Sequence, residues 1–170
     1  VTAAYINGDL YAFISDYANG FVVVDIDDPS NPFLIGTILV TGFVNTSFID
    51  QNNKLAYIAM ESGQIQVYDI SQLPDEPTFV ASVPIGSSGI NGLYLSGNYL
   101  YAAAGSNGLA VIDVTNPSNP QLNNVFNTTG IASDVVVNGG FAYVADSYNG
   151  MLILDVTNPE SPVYKSKFTG

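Results

Sequence analysis

An apolar run that ends in aspartate recurs four times along the chain, at Phe21-Val22-Val23-Val24-Asp25, Ile65 to Asp69, Leu109 to Asp113 and Met151 to Asp155. The aspartates are 44, 44 and 42 residues apart. A glycine stands just upstream of each run (Gly20, Gly63, Gly108, Gly150), and a pair of prolines follows it (Pro29 and Pro32, Pro74 and Pro77, Pro117 and Pro120, Pro159 and Pro162). A period of about 40 to 45 residues belongs to propellers and solenoids, whose units bury their apolar faces only against one another. Each repeat must therefore be one supersecondary motif, too small to enclose a core by itself.

The fourth repeat is the easiest to parse. Val135-Val136-Val137 ends a first strand, and Asn138-Gly139-Gly140 supplies the positive-φ residues of a tight hairpin. Phe141 to Ala145 reads as a second strand and Met151 to Val156 as a third, nearly continuous in apolar residues because both faces are covered. Val163 to Phe168 follows as a fourth, with Lys165 and Lys167 alternating outward as on an exposed edge. Repeats one to three follow this plan, with second strands at Leu10 to Ile14, Leu55 to Ala59 and Leu100 to Ala104. The expected fold is all-β: a β-propeller of four-stranded antiparallel blades, four repeats in this chain, the first strand of each blade innermost. The blades are expected at residues 1–43, 44–89, 90–130 and 131–170.

Gly-Leu-Ala-Val-Ile-Asp-Val-Thr-Asn-Pro-Ser-Asn-Pro from Gly108 to Pro120, and Ala-Tyr-Val-Ala-Asp from Ala142 to Asp146, resemble the LVIVD repeat of bacterial and archaeal surface proteins. The likeness runs along the whole chain and is weakest in the second repeat, where Gln64 is inserted and Leu73-Pro74-Asp75-Glu76-Pro77 replaces Asn-Pro-Ser-Asn-Pro. It implies a propeller in an extracytoplasmic protein without assigned catalysis, and it brings no functional residues with it.

Composition narrows the function classes. The chain has 170 residues with 3 Lys and Arg against 15 Asp and Glu, a net charge of −12, so no basic surface exists to neutralise a run of phosphates and nucleic acid is not an expected partner. The absence of both Cys and His excludes thiolate and imidazole chemistry, including Cys/His zinc sites and Ser-His-Asp triads. Charged residues are 11% of the chain, against about 25% in an ordinary globular protein. The surface is therefore mostly neutral and polar, a composition common in extracellular and cell-surface proteins. No apolar run approaches the length of about 18 residues that a membrane span needs.

Several carboxylates and aromatics invite a site. The repeated Asp25, Asp69, Asp113 and Asp155 are read as structural: an Asp at a strand end before Thr-Asn-Pro accepts hydrogen bonds from turn amides. The loops between strands two and three carry Asp16, Glu61 and Asp146, with Tyr17 and Tyr148 at what read as equivalent exposed positions. These are the candidate binding residues of the loop face, where tyrosines can stack on a sugar or anchor a protein. Carboxylates there can also hold a hard cation such as Ca²⁺, but the Asp-x-Asp-x-Asp spacing is missing, so solvated turn carboxylates are the preferred reading, with no metal site and no cofactor expected. Asp50, Asn91 and Asp134 fall on inner strands and are candidates to line the channel. Asn45-Thr46-Ser47 and Asn127-Thr128-Thr129 match the N-glycosylation acceptor at Asn45 and Asn127.

Four repeats in phase allow three closures: a four-bladed ring, part of a larger ring, or a ring or filament completed between chains. The leading expectation is a non-enzymatic extracellular module that builds or decorates a surface assembly, its partners being itself, other surface proteins or glycans. A lectin-like or adhesive propeller is second, and a hydrolase using channel carboxylates third.

Overall fold

The computed structural model describes residues 1–169; Gly170, the last residue of the expected fourth blade, lies outside the described residues. Among the described residues sixteen strands form four separate antiparallel sheets, each made of four strands consecutive in sequence. Blade 1 holds β1 (Thr2–Ile6), β2 (Asp9–Ser15), β3 (Phe21–Asp25) and β4 (Phe33–Ile38). Blade 2 holds β5 (Val44–Asp50), β6 (Leu55–Met60), β7 (Gln64–Asp69) and β8 (Thr78–Pro84). Blade 3 holds β9 (Gly92–Ser96), β10 (Tyr99–Ala103), β11 (Leu109–Asp113) and β12 (Gln121–Phe126). Blade 4 holds β13 (Asp134–Asn138), β14 (Phe141–Ala145), β15 (Met151–Asp155) and β16 (Val163–Phe168), with one 3₁₀ turn at Ser147–Asn149.

The repeated glycine before each third strand has a steric cause. Gly20, Gly63, Gly108 and Gly150 sit at φ +95°, +77°, +91° and +79°. A Cβ on any of them would run into a backbone carbonyl beside the end of the fourth strand, that of Ile38, Gly86, Phe126 or Phe168. Only glycine meets both demands. The repeated aspartate closes the other end of the same strand: the Oδ1 of Asp25, Asp69, Asp113 and Asp155 accepts the amide of the residue two positions on, at 2.7–3.0 Å.

Alternation along the central strands gives each blade two apolar faces. The forward face of blade 3, turned to the next blade, carries Tyr101, Ala103, Leu109 and Val111; they pack on Val135, Val144, Leu152 and Leu154 from the backward face of blade 4. Leu55, Tyr57, Ile65 and Val67 of blade 2 pack in the same way on Leu100, Ala110, Ile112 and Val114 of blade 3. Tyr11, Phe13, Phe21 and Val23 of blade 1 meet Ala56, Ile58, Tyr68 and Ile70 of blade 2, with the Phe13 and Phe21 rings stacked at 6.0 Å. Three such interfaces hold the molecule together.

The first strand of each blade is innermost, and these strands lie side by side in the order β1, β5, β9, β13. Among the described residues β13 has no comparable packing against β1, and no buried cluster joins blade 4 to blade 1. The four blades thus form an open arc with one uncovered face at each end.

Candidate functional site

The loops between second and third strands share one construction, set by backbone geometry. In blades 1, 3 and 4 the residue after the second strand donates its amide to the repeat glycine's carbonyl: Asp16 to Gly20, Ala104 to Gly108 and Asp146 to Gly150. The next residue takes a positive φ, +36° at Tyr17, +54° at Gly105 and +47° at Ser147. This register corrects one expectation: the counterpart of Tyr17 is Ser147, and Tyr148 stands one position further on.

Asp146 differs from its sequence reading as a solvated loop carboxylate, because it is 0% exposed. Thr128, from the segment entering blade 4, donates its hydroxyl to Asp146 Oδ1 at 2.6 Å, and Asn149 donates to Oδ2 at 3.0 Å. The carboxylate is a tie between blades 3 and 4, unavailable to a ligand. Asp16 keeps only the local bond, from Asn19 at 3.1 Å, and is exposed. In blade 3 the aspartate position holds Ala104, and Asn107, the counterpart of Asn149, has a buried Nδ2 with no partner. The spacing Asp-x-x-Asn-Gly at Asp16 and Asp146 marks the local bond from asparagine to aspartate in both loops; the tie to Thr128 has no signal in the sequence.

Glu61 accepts from Asn45 Nδ2 at 2.7 Å, so one of the two glycosylation acceptors is engaged with a loop carboxylate. Asn127, exposed, accepts the Thr129 amide at 2.8 Å. Tyr17 stacks face to face on Phe43 with ring centroids 4.4 Å apart and planes 6° from parallel, which occupies one face of its ring. Phe43 was not marked by the sequence reading. Tyr148 is fully exposed and stands apart. Asp16, Glu61 and Asp146 therefore do not converge, and among the described residues no three acidic side chains gather in a geometry for a metal ion.

The inner-strand carboxylates do not pair either. Asp50, buried, ends β5 and accepts the amides of Asn52 and Asn53 and the Asn53 side chain at 2.7–3.1 Å. Asp134, exposed, begins β13 and bonds the amide of Val135. Asp50 lies opposite Leu55 and Asp134 opposite Ala145, the counterpart of Ala59, so four residues of strand separate the two levels. At about 3.3 Å per residue that is roughly 13 Å along the channel, beyond the ~5–9 Å between an acid and a base flanking one glycosidic bond. Asn91 turns its side chain to the Ala132 carbonyl at 3.0 Å. The buried phenol of Tyr57 is pushed up to about 12 by desolvation, with a lesser push from Asp50. It remains a neutral hydrogen-bonding group at any physiological pH.

The end faces are a different kind of surface. On blade 4, Val136 is 48% exposed, and Tyr143, Met151 and Ile153 are half-buried beside exposed Phe168. Val136, Tyr143, Met151 and Phe168 line a shallow apolar groove of about 460 Å³. On blade 1, Tyr5 is 60% exposed, and Ile14, Val22, Val24 and Ile26 are half-buried around it. Sequence alternation marked all of these as apolar; which faces lie open is visible only in the arc.

Four repeated four-stranded sheets packed face to face about their first strands define a β-propeller-like repeat protein. The LVIVD repeat matches residues 5–40, 91–128 and 129–169, and the chain belongs to the LVIVD repeat family. The second blade falls outside the match, where the sequence departs most from its siblings. No curated protein matches the chain. Among solved structures, a protein from Lactobacillus plantarum superposes with a TM-score of 0.81 at 16% identity, over 94% of this chain and 54% of that one. The computationally designed Ika8 protein gives 0.70 at 12% identity, over 99% and 50%, and the designed Ika4 protein 0.68 at 14%, over 89% and 87%. The chain thus spans about half the length of the Lactobacillus plantarum and Ika8 proteins. No helix of the described residues is long and apolar enough to cross a membrane.

Proposed function

We propose that this chain is a non-enzymatic extracellular building block whose working surfaces are the open faces of its terminal blades. The observation that carries this reading is the pair of apolar end faces, around Tyr5 on blade 1 and Val136 on blade 4. A soluble monomer seldom exposes a large apolar patch unless the patch is an interaction site. The neutral polar composition and its membership of the LVIVD repeat family support a place at the cell surface. The lack of Cys and His, and the separation of Asp50 from Asp134, support the non-enzymatic reading.

The loop-face alternative, a glycan- or protein-binding propeller, rests on Tyr148 and on the Tyr17–Phe43 stack. It is the weaker reading because Asp146 is buried and Glu61 is committed to Asn45. Immunogold labelling of intact cells with antibodies to this chain tests the leading reading. Label confined to the outer surface is expected, and label reaching the chain only after cells are opened would overturn it. A glycan array with and without Ca²⁺ tests the alternative, and silence in both conditions sinks it.

A further inference from the structure

We infer that a second copy of this chain is the occupant of the end faces, the forward face of blade 4 in one copy seating on the backward face of blade 1 in the other, so that two identical joints close one ring. This rests on the reading that the end faces are the working surfaces, and it names their partner.

The repeat itself supplies the complementarity. Forward faces in this molecule pack only on backward faces, three times over. Blade 4 presents Tyr143, Ala145, Met151 and Ile153 at the register positions of Tyr101, Ala103, Leu109 and Val111, which are buried against blade 4 in the existing joint. Blade 1 presents Ala12, Ile14, Val22, Val24 and Ile26 where blade 3 has Leu100, Ala102, Ala110, Ile112 and Val114, which are buried against blade 2. The missing joint is therefore a fourth instance of an interface the chain already makes, and its two halves are both present, held apart by the arc.

Backbone geometry agrees: Tyr17 bridges to Val44 of the next blade and Gly105 to Ala132, while among the described residues Ser147, at the same position in blade 4, makes no such bridge. Two copies of four blades make eight, the upper end of the usual range of about 4 to 8 blades for a propeller. Both joints are the same, so the ring closes with two-fold symmetry.

The test is the mass of the 170-residue chain by light scattering after gel filtration across a concentration series, for the natural sequence and for Met151→Glu and Val22→Glu. The natural chain is expected to pass from 18.0 kDa to twice that mass with no larger species, as rings in negative stain. Each variant alone should remain monomeric with an unchanged circular dichroism spectrum, because each lacks one half of the joint. An equimolar mixture of the two should recover a dimer, because one intact forward face and one intact backward face remain. Dimers of either variant alone would overturn the forward-on-backward pairing, and open filaments would overturn the closed ring. A chain that stays at 18.0 kDa at every concentration would overturn the second copy as occupant. If the same chain still labels the outside of intact cells, the surface reading survives that failure.

Discussion

Leu109 and Met151 hold the same place in consecutive blades, each opposite the alanine that ends the second strand, Ala103 in one case and Ala145 in the other. Leu109 is fully buried between blades 3 and 4, whereas Met151 is half-buried at the end of the arc. Asp146 and Asp16 form a second such pair: one loop position, with the carboxylate sealed under Thr128 in blade 4 and exposed in blade 1, at the end of the arc. In both pairs local structure is the same and only the neighbour differs. Burial in this molecule is thus a property of the joint between blades, not of the blade, as expected when stability is a sum of repeat and nearest-neighbour terms.

The largest test of that contrast is truncation at the matched core positions. Leu109→Ala should cost about 2–5 kcal/mol, the range for a fully buried leucine. Met151→Ala in the dilute chain should cost about 1 kcal/mol, because its side chain is only half-buried and has fewer neighbours to lose. Urea unfolding at low concentration measures both, and equal losses would mean that the end face is covered after all.

The loop carboxylates give a smaller difference. Asp146→Ala strands the Thr128 hydroxyl and the Asn149 amide, at a cost of about 2–3 kcal/mol. Asp16→Ala should stay within about 0.5 kcal/mol, as at other exposed sites. A loss at Asp16 as large as that at Asp146 would contradict the inter-blade role assigned to the latter.

The turn aspartates should differ through Lys165 and not through their place in the arc. Hydrogen bonds from Thr115 hold Asp113 below the ordinary carboxylate range, and bonds from Thr157, aided by Lys165 at 3.1 Å, hold Asp155 down at about 2. Asp28 is lowered in the same way by Ser30. The native pKa values lie below the unfolded value of about 3.9, so this stabilisation is complete above pH ~4 and is lost as pH falls through the native values. Melting temperature should fall below about pH 4, less steeply in both Asp113→Asn and Asp155→Asn, with the larger change in Asp155→Asn because Lys165 adds to the lowering there.

The smallest effect is that of salt. With a net charge of −12 the copies repel one another, and raising ionic strength from low to physiological should move dimer formation to lower protein concentration. Indifference to salt would contradict a role for that repulsion in the joint.

The blades were legible because their signals are local. Strand alternation, the positive-φ hairpin residues, the glycine before each third strand and the aspartate after it act within a few residues of one another. Asp146 misled because its burial depends on Thr128, 18 residues away in the preceding repeat, while Asp-Ser-Tyr-Asn-Gly by itself reads as a polar loop. The equivalence of Tyr17 with Tyr148 failed by one position because the loop is fixed by its backbone bonds and its positive φ, not by its aromatic residue. For the ends the sequence allowed a closed four-bladed ring, part of a larger ring or completion between chains, and did not choose. Alternation makes both faces of every blade apolar, and only the order in which β1, β5, β9 and β13 pack shows which of them find a neighbour.

Because the chain contains no cysteine, a single introduced thiol reports on one face without interference. The most direct test of the open arc is the thiol reactivity of Met151→Cys beside that of Leu109→Cys, in dilute protein whose mass is 18.0 kDa. The thiol at 151 should react without blade separation and become protected as concentration rises, while that at 109 reacts orders of magnitude more slowly throughout, only when blades 3 and 4 part. Equal protection of the two in the 18.0-kDa species would mean that blade 4 already packs on blade 1 of the same chain, and the end faces would lose their role.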